Sequence, residues 1–236
     1  MTDQGHRSAT HVCTPLRAAV WSSRAHPRRS SPVPARGFGH ITLRLKWLGV
    51  TGQCQEGNET MWDEPSAPYL SPRAPGETDA WTEAATRAGR TGTQLIREVA
   101  ETVPPPDVAN ALQLPAGAPA VVRRRTVVLD GKPIEIVDSW YPASIAGATP
   151  LAQPKKIKGG AVTVLADMGY VVREALDDIS VRGATEPEAE LLGLPAGAPV
   201  IVVFRTAVSK SDVPFEATVM VMVPEGRHLR YPLSAG

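Results

Sequence analysis

Cysteine is almost absent from this 236-residue chain: Cys13 and Cys54 are the only two, and they support neither a disulfide framework nor a zinc site. Histidine is nearly as scarce. Four of the five precede residue 61 without ligand spacing, and none lies within residues 61–227, which removes the commonest general base and metal ligand from most of the chain. Long apolar runs are missing too, since 199–204 and 219–223 fall far short of the roughly 18 to 20 residues that cross a bilayer. No charge sign dominates: 25 Lys+Arg face 24 Asp+Glu, which excludes a globally basic nucleic-acid binder. Neither a phosphate loop nor a Gly-x-Ser-x-Gly turn is present. The expectation is a protein of the reducing cytoplasm, off the membrane, with no metal, no cofactor and no catalytic residues.

What is present is unevenly placed. Residues 1–60 hold eight Lys/Arg against three Asp/Glu, hence +5, and the remainder holds 17 against 21, hence −4. Pro27, Pro32 and Pro34 break any helix in that first stretch, and its one patterned run, Ile41, Leu43, Leu45 and Trp47, alternates as a strand does. One short strand buries no core. We therefore read 1–60 as a poorly ordered basic extension, with Met61 the expected true start. A transit peptide and a basic tail touching a partner are the alternatives. Residues 61–90 read as a Pro-rich arm with a short helix near 78–88, and Trp62, Tyr69, Leu70 and Trp81 give it apolar area with which to dock.

Residues 93–99 read as a strand with Leu95, Arg97 and Val99 on one face and Gln94, Ile96 and Glu98 on the other. An internal repeat follows. DVANALQLPAGAPAVVRRRT at 107–126 matches PEAELLGLPAGAPVIVVFRT at 187–206 with a constant offset of 80, and Pro133 and Glu135 recur at plus 81 as Pro214 and Glu216. Each copy translates as a short helix (108–112, 188–192), a Pro-Ala-Gly turn, a β-branched strand, a reversal and a second strand. Asp130-Gly131 marks the first reversal. Two such helix-plus-hairpin units, with 93–99 and 180–182 as candidate edges, predict an α+β fold with an antiparallel sheet and flanking helices. The connector should hold a helix over 161–168 capped by Gly169.

Several stretches together resemble a known family. They are Leu112 to Pro119, Arg123-Arg124-Arg125 with Leu129 to Pro133, Asp138 to Pro142, Gly159 to Val162, Leu192 to Pro195 with Arg205, Pro214-Phe215-Glu216 and Leu229-Arg230-Tyr231. Over roughly residues 75–236 the chain resembles the UTRA ligand-sensing domain of GntR/HutC-family transcriptional regulators, whose fold is chorismate-lyase-like. The resemblance implies a UTRA effector-binding and dimerisation domain over 91–236 that regulates transcription. A small effector, anionic or hydroxylated, and a homodimer are the implied partners. The family's winged helix–turn–helix is not recognisable in residues 1–60, so DNA is expected to be reached only indirectly or through a separate partner.

The family's effector contacts carry over only in part. Of its two phosphate-binding Arg, the first falls on Arg125 and the second on Val127; Arg123, of the same strand parity, is the candidate replacement, whereas Arg124 points to the other face. The family's Glu falls on Val137, its Ser on Ser139 and its Tyr on Trp140. In the last hairpin its Glu is kept as Glu216, and a Tyr is replaced by Met222. The expected ligand-binding set is thus Arg123, Arg125, Ser139, Trp140 and Glu216. Two other readings stand beside it. One is an effector-free dimerisation or antitoxin-like adaptor, in which Glu135 and Glu216 simply pair with neighbouring Arg. The other is a lyase-like enzyme, of whose arrangement Arg125 and Glu216 are only a fragment.

Overall fold

The computed structural model describes residues 62–63, 69–74 and 77–231, so the readings made above for residues 1–60 lie outside the described residues. The described elements begin with a two-residue strand, β1 (Trp62–Asp63), and a helix, α1 (Ala80–Arg87). Then come β2 (Gly92–Thr102), α2 (Pro106–Ala111), β3 (Ala120–Leu129) and β4 (Lys132–Pro142). A connector holds α3 (Ala143–Ala146), a 3-10 turn (Pro150–Ala152) and α4 (Ala161–Asp167). The second half is β5 (Val172–Gly183), α5 (Glu186–Leu192), β6 (Pro199–Ser209) and β7 (Pro214–Met222), and β8 (Arg227–His228) pairs in parallel with β1.

Six strands form one antiparallel sheet in the order β2-β3-β4-β7-β6-β5. The repeat is therefore a pseudo-twofold, with the return strands β4 and β7 side by side at its centre. It is also longer than its sequence signature: β2 begins at Gly92 and β5 at Val172, again 80 apart, so each unit is strand, helix and hairpin. Positive φ at Asp130 (49°) and Gly131 (79°) gives the tight reversal that Asp-Gly predicts.

The sheet has two differently covered faces. On one, α2 and α5 pack as equivalents: Val108 and Leu112 sit with Val122 and Trp140, and Ala189 and Leu192 sit with Ile136, Val200 and Val221. On the other, the connector covers one end, where Leu151 and Leu165 meet Tyr141 and Phe215. At the opposite end Trp81 and Ala85 of α1 pack on Val127, Leu129 and Val137. Gly92 permits that approach, because a Cβ there would lie 2.5 Å from Ala85 Cβ. Each fully buried Leu or Val in these clusters adds roughly 1.5–3 kcal/mol relative to exposure.

The alternation expected along β2 fails midway. A bulge between Ile96 and Glu98 leaves Arg97 outside the pairing, so Gln94 and Val99 share one face while Leu95 and Glu98 share the other. Nothing in a run without glycine announces that extra residue.

One edge of the second unit carries a measurable charge effect. The Glu188 carboxylate in α5 accepts two bonds from Arg182 at 2.6 and 2.7 Å and one from the Thr185 N–H at 2.9 Å. The Arg182 bonds, opposed by burial and assisted by the Thr185 N–H, hold its pKa down at about 2 against an ordinary 4.5. A depressed folded-state pKa means stability that is present above pH 4.5 and lost as pH falls towards 2. Because Arg182 is partly exposed, we expect Glu188→Gln to cost about 1 kcal/mol at neutral pH. In urea titrations that difference should shrink to nothing as pH falls through this window; a difference independent of pH would contradict the assignment.

Candidate functional site

Alternation along four central strands aims one set of side chains at the face between α1 and the connector. There the structure forms a partly open cavity of about 170 Å³. The arm forms part of its wall: Tyr69, Leu70 and Arg73 line it, and the Arg73 N–H donates to Thr163 Oγ1 of α4 at 3.0 Å. Lys156 of the connector reaches Asp79, the N-cap of α1, at 3.0 Å. Burial pushes the Asp79 carboxyl up, but bonds from Thr82 and Lys156 outweigh it and leave the pKa lowered.

Three of the five expected ligand contacts line this cavity: Arg125, Ser139 and Glu216. One continuous hydrogen-bond chain joins them. Arg125 donates to Ser139 Oγ at 2.8 Å, Thr218 Oγ1 lies 3.1 Å from both Ser139 Oγ and Glu216 Oε1, and Tyr141 donates to Glu216 Oε1 at 3.1 Å. Burial, and then the Glu216 carboxylate, push the Tyr141 phenol far above its usual range, so it remains a donor. Gln94 accepts from Arg125 at 3.2 Å. Four positions where the chain departs from, or flanks, the family's polar contacts, Val127, Val137, Met220 and Met222, form an apolar wall.

The other two expected contacts face elsewhere. Arg123 keeps the parity of Arg125, but its guanidinium bonds the backbone carbonyls of Leu151, Gln153 and Lys155 at 2.7 to 2.8 Å, tying the connector to the sheet. Burial, and then the like charge of Arg125, hold its pKa down against the opposing influence of Tyr141. Trp140 is one residue out of phase with Ser139 and lies buried against α2 on the far face, with Arg124 stacked over its ring at 5.9 Å. Strand parity alone forbids Ser139 and Trp140 from reaching one ligand.

Charge pairing separates the groups that line the cavity. Arg205, the repeat twin of Arg125, binds Asp177 through two bonds of 2.6 and 2.7 Å, and Tyr231 donates to the same carboxylate at 2.9 Å. Glu135, the twin of Glu216, meets Arg227 at 3.0 Å. Arg125 and Glu216 have no such partner among the described residues. The strand neighbours differ in kind, since the repeat equivalent of Asp177 is Arg97 and the β2 bulge sets Ile96 opposite Arg125. Asp177 stands directly across from Arg205, whereas the corresponding neighbour of Arg125 is Ile96. The Arg125 Nε is buried without a hydrogen-bond partner. The twins thus diverge into two directly bonded ion pairs and two charges, Arg125 and Glu216, that no oppositely charged side chain among the described residues bonds directly. Gln94, Tyr141, Asp177, Arg205 and Thr218 were not singled out as site residues from the sequence. For Tyr141 and Thr218 the signal was available, since each shares its strand face with a residue that was.

Comparison with known proteins agrees with this architecture. The UTRA domain profile matches residues 87–225. The chain belongs to the UTRA domain family. An uncharacterized HTH-type transcriptional regulator of Streptomyces coelicolor is 33% identical over 102 residues, which is 42% of this chain and 38% of that regulator. The chain thus matches well under half the length of that relative. Among solved structures, the effector domain of PhnF from Mycobacterium smegmatis superposes with a TM-score of 0.58 at 20% identity, covering 66% of this chain and 95% of that one. The ligand-binding domain of a GntR-family transcriptional regulator from Bordetella bronchiseptica gives 0.52 at 26% identity, covering 61% and 92%. The UTRA domain here has the fold of these regulator domains, and the cavity lies within its matched span apart from the arm, α1 and the last residues. Among the described residues no helix is long and apolar enough to cross a membrane.

Proposed function

We propose that the UTRA domain senses a small effector in the 170 Å³ cavity and thereby regulates transcription, without catalysing a reaction. The observation that carries this reading is that the Arg125 guanidinium bonds Gln94 and Ser139 but no carboxylate, in a cavity where the twin arginine is paired with Asp177. A half-buried guanidinium that no carboxylate bonds directly favours an anionic ligand group, which supplies the charge-assisted bonds. Glu216, held by Tyr141 and Thr218, suits a hydroxyl or ammonium at the other end of the same molecule. The apolar wall of Val127, Val137 and Met222 favours a small hydrocarbon or ring body over a heavily hydroxylated one. Arg123 and Trp140, expected as contacts, act here as scaffold. DNA contact is assigned to a separate segment or partner chain, and the working unit to a homodimer.

The test is thermal unfolding against a panel of small carboxylates, hydroxy acids, amino acids and sugar phosphates. A ligand that binds only the folded state at a hundred times its Kd adds about 2.7 kcal/mol, which is a shift of several degrees in a domain of this size. At least one anionic member should give it. A panel without effect, on protein whose native mass spectrum carries no co-purified small molecule, would favour the effector-free adaptor; turnover of chorismate would favour the enzyme.

A further inference from the structure

The polar floor of the cavity can be followed hydrogen by hydrogen. Thr218 Oγ1 lies 3.1 Å from both Ser139 Oγ and Glu216 Oε1, yet it carries one hydrogen, and a carboxylate only accepts. The Thr218 hydrogen therefore goes to Glu216, the Ser139 hydrogen goes to Thr218, and Ser139 Oγ accepts from Arg125. Tyr141 gives its own hydrogen to the same Oε1. All three hydroxyls are thus occupied as donors, and none has a hydrogen left for a ligand. At one end Arg125, which bonds only the neutral Gln94 and Ser139, keeps a second hydrogen on each of Nη1 and Nη2. At the other, Glu216 Oε2 accepts from no donor among the described residues.

Charge narrows the ligand further. The charged side chains of the lining are Arg73, Arg125 and Arg205 against Asp79, Glu135 and Glu216. Arg73 is bonded to Glu83, Asp79 to Lys156, Arg205 to Asp177 and Glu135 to Arg227. Arg205 feels the Glu216 charge through space, but its Nε and Nη2 are taken up by Asp177. One cation and one anion, Arg125 and Glu216, therefore face the ligand without a directly bonded partner of opposite sign. A sugar phosphate sets roughly two negative charges against one arginine, and Val127 stands where a second phosphate-binding arginine would. A hydroxy acid satisfies Arg125 but brings no positive charge to Glu216. A zwitterion answers both ends.

We propose that the effector is an amino acid with an apolar side chain, its carboxylate on Arg125, its ammonium on Glu216 and its side chain against Val127, Val137 and Met222. This rests on the effector reading of the cavity and names the ligand class. The spacing agrees. Hydrogen bonds of 2.8, 3.1 and 3.1 Å link the Arg125 guanidinium to Glu216 Oε1, so the two ends lie within about 9 Å of each other. With a charge-assisted bond of about 2.8 Å at each end, a few ångströms are left for the ligand, which is the separation of ammonium and carboxylate in an α-amino acid.

The test is calorimetric titration of the full chain at neutral pH with matched compounds: L-leucine, L-methionine and L-phenylalanine, the 2-hydroxy acid and the decarboxylated amine of each, and glucose 6-phosphate. At least one amino acid should bind, and at least ~10-fold more tightly than its own hydroxy acid and its own amine, because each loses one of the two charge-assisted ends. Glu216→Gln, which keeps the shape and removes the charge, should erase the preference for the amino acid over the hydroxy acid. If that variant unfolds, the wild-type ratios decide alone. A hydroxy acid or glucose 6-phosphate that binds as tightly as the best amino acid overturns this proposal and leaves the effector reading standing. Binding by none of the compounds overturns the amino acid, and the stabilisation panel described above then decides the effector reading separately.

Discussion

Arg205→Ala should lower the free energy of unfolding by about 3–5 kcal/mol, the cost of leaving a buried carboxylate without its cation. The Asp177 side chain is 5% exposed and that of Arg205 11%, so water cannot replace the lost partner. Burial on its own would pull the Arg205 pKa down; the bonds and charge of Asp177 overcome it and leave it raised, which marks a pair held in its ionised form. Tyr231 gives Asp177 one hydrogen bond, and a neutral phenol does not balance the charge. Replacing both partners, as Arg205→Met with Asp177→Leu, should recover most of the loss, because a buried ion pair and a well-packed apolar pair are close in free energy. Urea midpoints of the three proteins check this. A loss below about 1 kcal/mol for Arg205→Ala, or a double variant no better than the single, would contradict a buried ion pair whose two charges depend on each other.

The sheet was legible because the repeat carried it. Leu114 to Pro119 and its copy 80 residues on fixed two helices and two hairpins, and Asp130-Gly131 fixed one reversal. The strand that completes each unit was harder to see. β5 reads VREALDDISVRG, where Asp177 on the cavity face breaks the apolar alternation, and that acid is there to meet Arg205. The Arg97 bulge left no local mark either. Within the site, Arg125, Ser139 and Glu216 followed from resemblance and parity together. Arg123 was out of reach, since its partners are backbone carbonyls 28 to 32 residues downstream, in a connector whose α3 and 3-10 turn have no periodic signature. Trp140 was a different case. Its phase relative to Ser139 places it on the opposite face by strand alternation alone.

The second large effect concerns Arg125. If an anionic effector bonds its guanidinium, Arg125→Ala should weaken binding by roughly 1.5–3 kcal/mol, or about ten- to a hundredfold, the value of a charge-assisted bond. Stability of the free protein should change far less, because the substitution removes a charge that no carboxylate among the described residues bonds directly. Arg124 supplies the control one residue away. It faces Glu98 and Asp138 on the other side of the sheet, and Arg124→Ala should leave the cavity untouched. Calorimetric titration of the wild type, Arg125→Ala and Arg124→Ala with the panel compound that most stabilises the wild type is the most direct measurement. The account predicts a ten- to hundredfold loss for Arg125→Ala alone; equal affinity for all three proteins, or an equal loss in both variants, would contradict it.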